Sequence, residues 1–237
     1  MNHLELFSGT HSFGKVSSKM GFEVYSLDRD LSDKCPFSDY KSKNHIKEDI
    51  MTWDYKKYDK GFFKVITASP VCLWWSGLRN TWIGRKLKGM TRNLTREDIQ
   101  NDINKYGKPM VDKVFEIIEY FEPKYWLVEN PQTGKMKNYI EENYPNYDIF
   151  YDFDYCKYSD FGYKKRTRFW NNITGIKPLL CKNDCDNLIN GKLHKISMGS
   201  WGKKGTSQTG IGGGNNRLGR YRIPEDLIKE VFNNMIF

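Results

Sequence analysis

Short apolar runs broken by glycine, proline and polar turns recur along the chain. Leu4-Glu5-Leu6-Phe7 predicts a first strand. A small-residue turn over residues 8–15 leads into a helix over 16–20, which Gly21 ends. Residues 22–27 predict a second strand running into Asp28, and residues 45–50 a third with Asp49 near its end. Phe62-Phe63-Lys64-Val65-Ile66 has the composition of a buried fourth strand. Ser69-Pro70 stops it, because proline lacks an N–H and fixes its own φ. Thr95-Arg96-Glu97-Asp98 reads as a helix start, and Val111, Val114, Phe115, Ile118 and Phe121 form one stripe of a helix over 110–121. Residues 125–128 predict a strand, 135–142 a helix and 147–155 a strand of alternating character. Arg166 and Arg168 alternate, so on a strand they share a face. Periodicity then fades over 174–219, and residues 224–237 read as a closing helix with Pro224 at its first turn. The opening is a βαβ unit, and the chain predicts an α/β sheet.

The strand ends carry the candidate chemistry. Asp28 follows a glycine turn by one helix and one strand, the arrangement in which nucleotide-binding sheets hold ribose hydroxyls. Asp49 is placed either to receive an adenine amino group or to stand as a solvated acid in a turn. Cys72 lies just past the fourth strand, where open α/β sheets put their ligands. The competing reading makes Cys72 a small buried hydrophobe and Trp74 and Trp75 core. Glu129 ends a buried strand before Asn130-Pro131. A glutamate there is costly without a partner or a task, and a protonated glutamic acid can give its proton to a ring nitrogen. Arg166 and Arg168 suit a carboxylate or base carbonyl and a phosphate.

Charge and composition extend this picture. The chain has 237 residues, enough for one large domain or one medium domain with a small one. A net charge of +9 favours a polyanionic partner, most simply nucleic acid; a lysine-rich genome is the alternative source. Residues 77–109 are the most basic stretch and are punctuated by glycine, which suits phosphate contact and closure over a substrate, or else a solvated loop. Five cysteines, an odd number without small-scaffold spacing, predict a reducing, intracellular compartment. No apolar run is long enough to span a bilayer, and no targeting segment precedes the first strand. Cys181, Cys185 and His194 are metal-ligand types, but with three ligands in view the spacing favours free cysteines over zinc.

In order along the chain, these pieces resemble the motifs of the DNA cytosine-5 methyltransferases, most closely the compact phage and virus type. Residues 4–9 resemble the first cofactor-binding motif, Asp28 the acid of the second, and Glu48-Asp49-Ile50 the third. Ser69-Pro70-Val71-Cys72 resembles the nucleophile motif, Val128-Glu129-Asn130-Pro131 the Glu-Asn motif, and residues 164–168 the Gln-x-Arg-x-Arg motif. The resemblance implies a Rossmann-like, S-adenosylmethionine-dependent methyltransferase sheet, mostly parallel with helices on both faces, and a small irregular C-terminal recognition lobe. It implies a catalytic domain over 1–172, a target-recognition region over 173–219 and a returning helix over 220–237. Phe7, Ser8, Gly9, Thr10, His11, Asp28, Asp49, Ile50 and Pro70 would contact S-adenosylmethionine. Cys72 would add to C6 of a flipped cytosine in double-stranded DNA, Glu129 would engage N3, and Arg166 and Arg168 would assist, with Arg168 holding Glu129 and the base O2. The chain departs from the family at His11, Val71 and Lys164, where glycine, proline and glutamine are usual. A monomer is expected. RNA cytosine methylation and a non-catalytic nucleic-acid binder are the alternative functions.

Overall fold

The structure is a computed structural model, and residues 1–30, 32–196 and 219–237 are described. Among the described residues, nine strands form: β1 (Asn2–Leu6), β2 (Glu23–Leu27), β3 (Asn44–Ile46), β4 (Val65–Ala68), β5 (Tyr125–Pro131), β6 (Phe150–Asp154), β7 (Arg166–Asn171), β8 (Leu188–Ile189) and β9 (Leu193–His194). The first seven make one sheet in the order β3-β2-β1-β4-β5-β7-β6. β3, β2, β1, β4 and β5 are parallel, and β7 runs antiparallel to both of its neighbours. This is a mostly parallel, Rossmann-like sheet, as expected from the sequence.

Helices cover both faces. On one side α1 (Ser12–Lys19) packs against α5 (Glu225–Asn233), burying Phe13, Val16, Leu227, Ile228 and Val231 with Val65 and Leu127 of the sheet. On the other, α3 (Lys108–Phe121) and α4 (Met136–Asn143) bury Val111, Val114, Phe115, Ile118 and Ile140 against Leu4, Ile66 and Val128. The apolar stripe predicted over 110–121 is thus the core face of α3. α2 (Arg96–Asp102) starts at Thr95 through a reciprocal capping box with Asp98, as its sequence predicts, and a single π-helical turn joins it to α3. No described helix is long and apolar enough to cross a membrane.

Several strand boundaries shift: β1 starts at Asn2, β3 ends at Ile46 so that Asp49 and Ile50 follow it, and β6 spans Phe150–Asp154. β4 begins at Val65 rather than at residue 62, because Phe62 and Phe63 form a cluster with Tyr25 and Tyr58 before the ladder starts. β5 runs on through Glu129 to Pro131, since β7 pairs with it over that length. The glycine-rich stretch over 199–214 lies outside the described residues.

His3 ties the sheet to α1. Its ring is fully buried and bonds Ser17 Oγ through Nδ1 at 2.7 Å and Thr67 Oγ1 through Nε2 at 2.8 Å. Burial pushes its pKa down to about 3. Because the folded state keeps this ring neutral, its contribution is intact above the unfolded pKa of about 6.5 and is lost as pH falls toward 3. We expect this group alone to remove about 2 kcal/mol of stability between pH 8 and pH 5. Denaturant melts of wild type and His3→Gln across that range check this: the variant should start lower and lose less on acidification.

Candidate active site

Four parallel strands end at one level. Leu6 of β1 pairs with Leu27 of β2 and Ala68 of β4, and Ala68 pairs with Val128 of β5. The residues that follow therefore emerge side by side: Phe7-Ser8-Gly9, Asp28, Ser69-Pro70 and Glu129. They open into one cavity of about 350 Å³, within the range of small-ligand sites. Phe7, Ser8, Gly9, Thr10, Asp28, Asp49, Ile50, Pro70, Cys72 and Glu129 all line it. A larger depression of about 870 Å³ shares Thr10, Ser12 and Ile223 with it but includes neither Cys72 nor Glu129.

The turn after β1 is tightly wound. Phe7, Gly9 and His11 have φ of 55°, 48° and 52°. The left-handed region costs about 1 kcal/mol or more for a non-glycine residue, so Phe7 and His11 hold strain at the cavity rim. Asp28 accepts the Gly9 N–H at 3.0 Å and fixes the turn to β2. Beneath it, the buried Glu5 accepts the N–H groups of Phe13 and Gly14, both at 3.0 Å, where α1 begins. A carboxylate there satisfies orphan helix donors and faces the positive end of the dipole. A Cβ at Gly14 would lie 2.5 Å from Glu5 Oε2, which is why glycine occupies that position.

His11 does not reach the cavity. Its ring is fully buried beneath the turn, donating from Nε2 to the Ser32 carbonyl at 2.8 Å, with Nδ1 3.7 Å from Glu5. Burial disfavours its charged form, but Glu5, the Ser32 carbonyl and Asp28 outweigh that and raise its pKa. The expectation that His11 contacts the cofactor is corrected: its ring is buried beneath the left-handed turn and does not line the cavity. Asp49 lines the cavity with Oδ2 ion-paired to Arg29 at 3.0 Å and Oδ1 accepting the Met51 N–H at 3.0 Å.

Cys72 sits in a turn held from both ends. Asn130 donates from Nδ2 to the Pro70 carbonyl at 2.8 Å, and the Lys135 N–H reaches the Trp75 carbonyl at 2.9 Å. Trp75 is buried and stacks on Tyr139; Trp74 stacks on Tyr106. Arg79, the first arginine of the basic stretch, is buried over Trp74 and paired with Asp102, so it anchors the loop instead of facing solvent. Arg85, Lys86, Lys88 and Arg96 remain exposed. Burial raises the Cys72 pKa and Glu129 adds to this, while the Lys165 ammonium opposes both.

Three groups converge on Glu129 Oε1. Thr167 Oγ1 donates to it, Tyr155 OH lies at 3.4 Å and Lys165 Nζ at 3.9 Å. Arg166 and Arg168 do not join them, which corrects the expectation that Arg168 holds Glu129. The cause is strand alternation: Glu129 pairs with Phe169, so residues 167 and 165 share its face and residues 166 and 168 point away. There Asp154 and Asp152 stand directly opposite on β6. Arg166 makes bonds of 2.9 and 2.7 Å to Asp154, and Arg168 bonds of 2.7 and 3.0 Å to Asp152. Lys164 is turned outward as well, donating to the Cys181 carbonyl at 2.8 Å. Lys165 and Thr167 show the same period-two spacing as the arginines; only the register with β5 tells which pair meets Glu129.

Comparison with known proteins gives the chain its relatives. No family model matches it. The "Probable DNA (cytosine-5)-methyltransferase" of Frog virus 3 (isolate Goorha) is 39% identical over 244 residues, covering 98% of this chain and 99% of the viral protein. Among solved structures, the Dnmt2 methyltransferase of S. pombe superposes with a TM-score of 0.47 at 17% identity, over 76% of this chain and 53% of its own. The methyltransferase EhMeth of Entamoeba histolytica gives 0.47 at 12%, over 76% and 55%. The chain thus spans about half the length of these two structures. With near-complete coverage at 39% identity to the viral protein, the chain belongs to the DNA (cytosine-5)-methyltransferase family.

Proposed function

We propose that the protein transfers a methyl group from S-adenosylmethionine to C5 of a cytosine in double-stranded DNA through a covalent bond between Cys72 and C6. The observation that carries this reading is the opening of Cys72 and Glu129, from adjacent parallel strands, into the same cavity as the Gly9 turn and Asp28.

The cavity suits the cofactor. Its walls combine Phe7, Leu27, Ile50 and Pro70 with the carboxylates of Asp28, Glu48 and Asp49. That set matches a ligand with an apolar base, hydroxyls and positive charge. Asp28 already fixes the Gly9 backbone that would approach it. When bound, S-adenosylmethionine supplies an electrophilic methyl group.

The chain's own residues supply the rest. Cys72, as thiolate, gives an electron pair to C6, and the ring electrons move toward C5 and N3. Glu129, acting as the carboxylic acid, gives its proton to N3, so charge developing on the ring is neutralised where it appears and the carboxylate is left on Glu129. Thr167, Tyr155 and Lys165 fix the Oε1 side of that carboxyl. Lys165 also favours the thiolate of Cys72. After C5 is methylated, water takes the C5 proton, the electrons of that C–H bond re-form the C5–C6 double bond, Cys72 Sγ leaves C6 as thiolate, and the N3 proton returns to Glu129, which restores the aromatic ring and the free enzyme. The exposed cations of residues 85–96 and the region over 173–219 would contact the DNA, as the viral relative's name supports. Much of that region lies outside the described residues. The acting unit is proposed to be a monomer inside the cell.

Methyl transfer from labelled S-adenosylmethionine to duplex DNA, single-stranded DNA and RNA in competition tests the substrate. Duplex DNA should be labelled first, and nuclease digestion should return 5-methylcytosine; preferential labelling of RNA would contradict the DNA assignment. Cys72→Ser should reduce turnover by at least about 10³-fold. Lys165→Met should lower kcat roughly 10²-fold, whereas Arg168→Met should leave kcat within about tenfold and lower the melting temperature instead.

Thiol titration gives a separate check. Because burial raises the Cys72 pKa and Lys165 opposes the rise, iodoacetamide labelling of Cys72 should accelerate with pH to a midpoint above that of a free thiol. Lys165→Met should move the midpoint further up. An unchanged midpoint would remove Lys165 from the account of thiolate stabilisation.

A further inference from the structure

Cys181 and Cys185 gain two partners in the fold. The helical turn after β6 carries Cys156, and β9 of the short β8–β9 hairpin carries His194. The three sulfur atoms and a ring nitrogen of His194 all lie within 4.8 Å of one another. Cys181 Sγ is 3.7 Å from Cys185 Sγ and 3.6 Å from His194 Nε2, and Cys185 Sγ is 3.5 Å from His194 Nε2.

These three distances match one face of a coordination tetrahedron, with the Cys156 sulfur within 4.8 Å of each corner. Zinc bonds of about 2.3 Å to sulfur and about 2.05 Å to nitrogen place two sulfurs about 3.8 Å apart, and sulfur and nitrogen about 3.6 Å apart. A disulfide needs its sulfurs at about 2.05 Å, and all five cysteines are free thiols. We propose that Cys156, Cys181, Cys185 and His194 bind one structural zinc ion, which fastens the β8–β9 hairpin to the end of β6.

The surroundings favour this assignment. Thiolates with one imidazole in a tetrahedral set select zinc, and four protein ligands leave no open position for catalysis. The ligand loop is already held in place: Asp154 accepts the Cys181 N–H at 2.8 Å, and Lys164 donates to the Cys181 carbonyl. The segment is tied down by polar contacts, Asn187 bonding Gly162, Cys156 and Ser159, but has little apolar core of its own. β8 and β9 are two residues each, and Leu179, Leu180, Ile189 and Leu193 are exposed. A hairpin that short is not stable by itself. Three ligands in the sequence were too few for a closed site; the fourth comes from the catalytic sheet, 25 residues before Cys181.

The test uses the full chain, expressed without a histidine tag in zinc-supplemented medium. Elemental analysis should find one zinc per chain after dialysis. Cys185→Ala and His194→Ala should lose it, and Cys35→Ala, a buried thiol outside the cluster, should keep it. If the ligand variants do not fold, wild type alone decides. Stripped of metal and given cobalt, it should show the absorption of a tetrahedral thiolate complex. Added zinc should protect Cys156, Cys181 and Cys185 from alkylation. Absence of zinc from the wild type, stoichiometric iron in its place, or equal alkylation with and without zinc would overturn the proposal.

Discussion

The alignment of β2, β1, β4 and β5 at their carboxyl ends is the constraint on which the site depends. Parallel pairing places Leu27, Leu6, Ala68 and Val128 at one level. Each strand then releases its functional residue within a few positions of that line. A slip of one residue in β4 or β5 would swap side chains between the two packed faces of the sheet and separate Cys72 from Glu129. The same hydrophobic burial that fixes the register therefore fixes the geometry of the chemistry. The helices on both faces hold it there, with the buried His3 bonding β4 to α1 across the first strand.

Buried polar groups do the finer positioning. Glu5 caps the start of α1, Asp28 holds the Gly9 turn, and Asn130 ties the end of β5 to the cysteine turn. Each sits in a partly or fully dry environment, where a satisfied bond specifies geometry and an unsatisfied one is costly. Around Cys72 the balance of charge is opposed: burial and Glu129 work against the thiolate while Lys165 favours it. Such tension is expected where a nucleophile must be reactive beside a carboxyl group that also serves the reaction.

Much of this was legible in the sequence because it is local. The apolar runs gave the strands and the α3 stripe. The turn residues gave Gly9, Asp28, Cys72 and Glu129, which meet in the cavity. What failed depended on facing and register. Arg166 and Arg168 were read correctly as sharing a face, but which face requires the pairing of β7 with β5, a contact between strands nearly forty residues apart. His11 stands on a left-handed backbone with its ring buried beneath the turn. Arg79 belongs to a stretch whose sequence suits phosphate contact or a solvated loop, yet in the fold Trp74 and Asp102 enclose it. Cys156 carried no spacing signal at all, since its partners arrive only after an intervening strand.

The central claim is that Cys72 attacks the cytosine ring while Glu129 engages it from the adjacent strand. It is tested most directly with a DNA duplex carrying 5-fluorocytosine in the presence of S-adenosylmethionine. Fluorine at C5 cannot leave as a proton does, so the ring stays bonded to the enzyme after methylation. The account predicts a covalent complex whose mass is that of protein plus methylated DNA, mapped to the peptide containing Cys72 and absent in Cys72→Ser. A duplex that is bound and methylated at cytosine without any such complex, or a complex mapped to another cysteine, would contradict it.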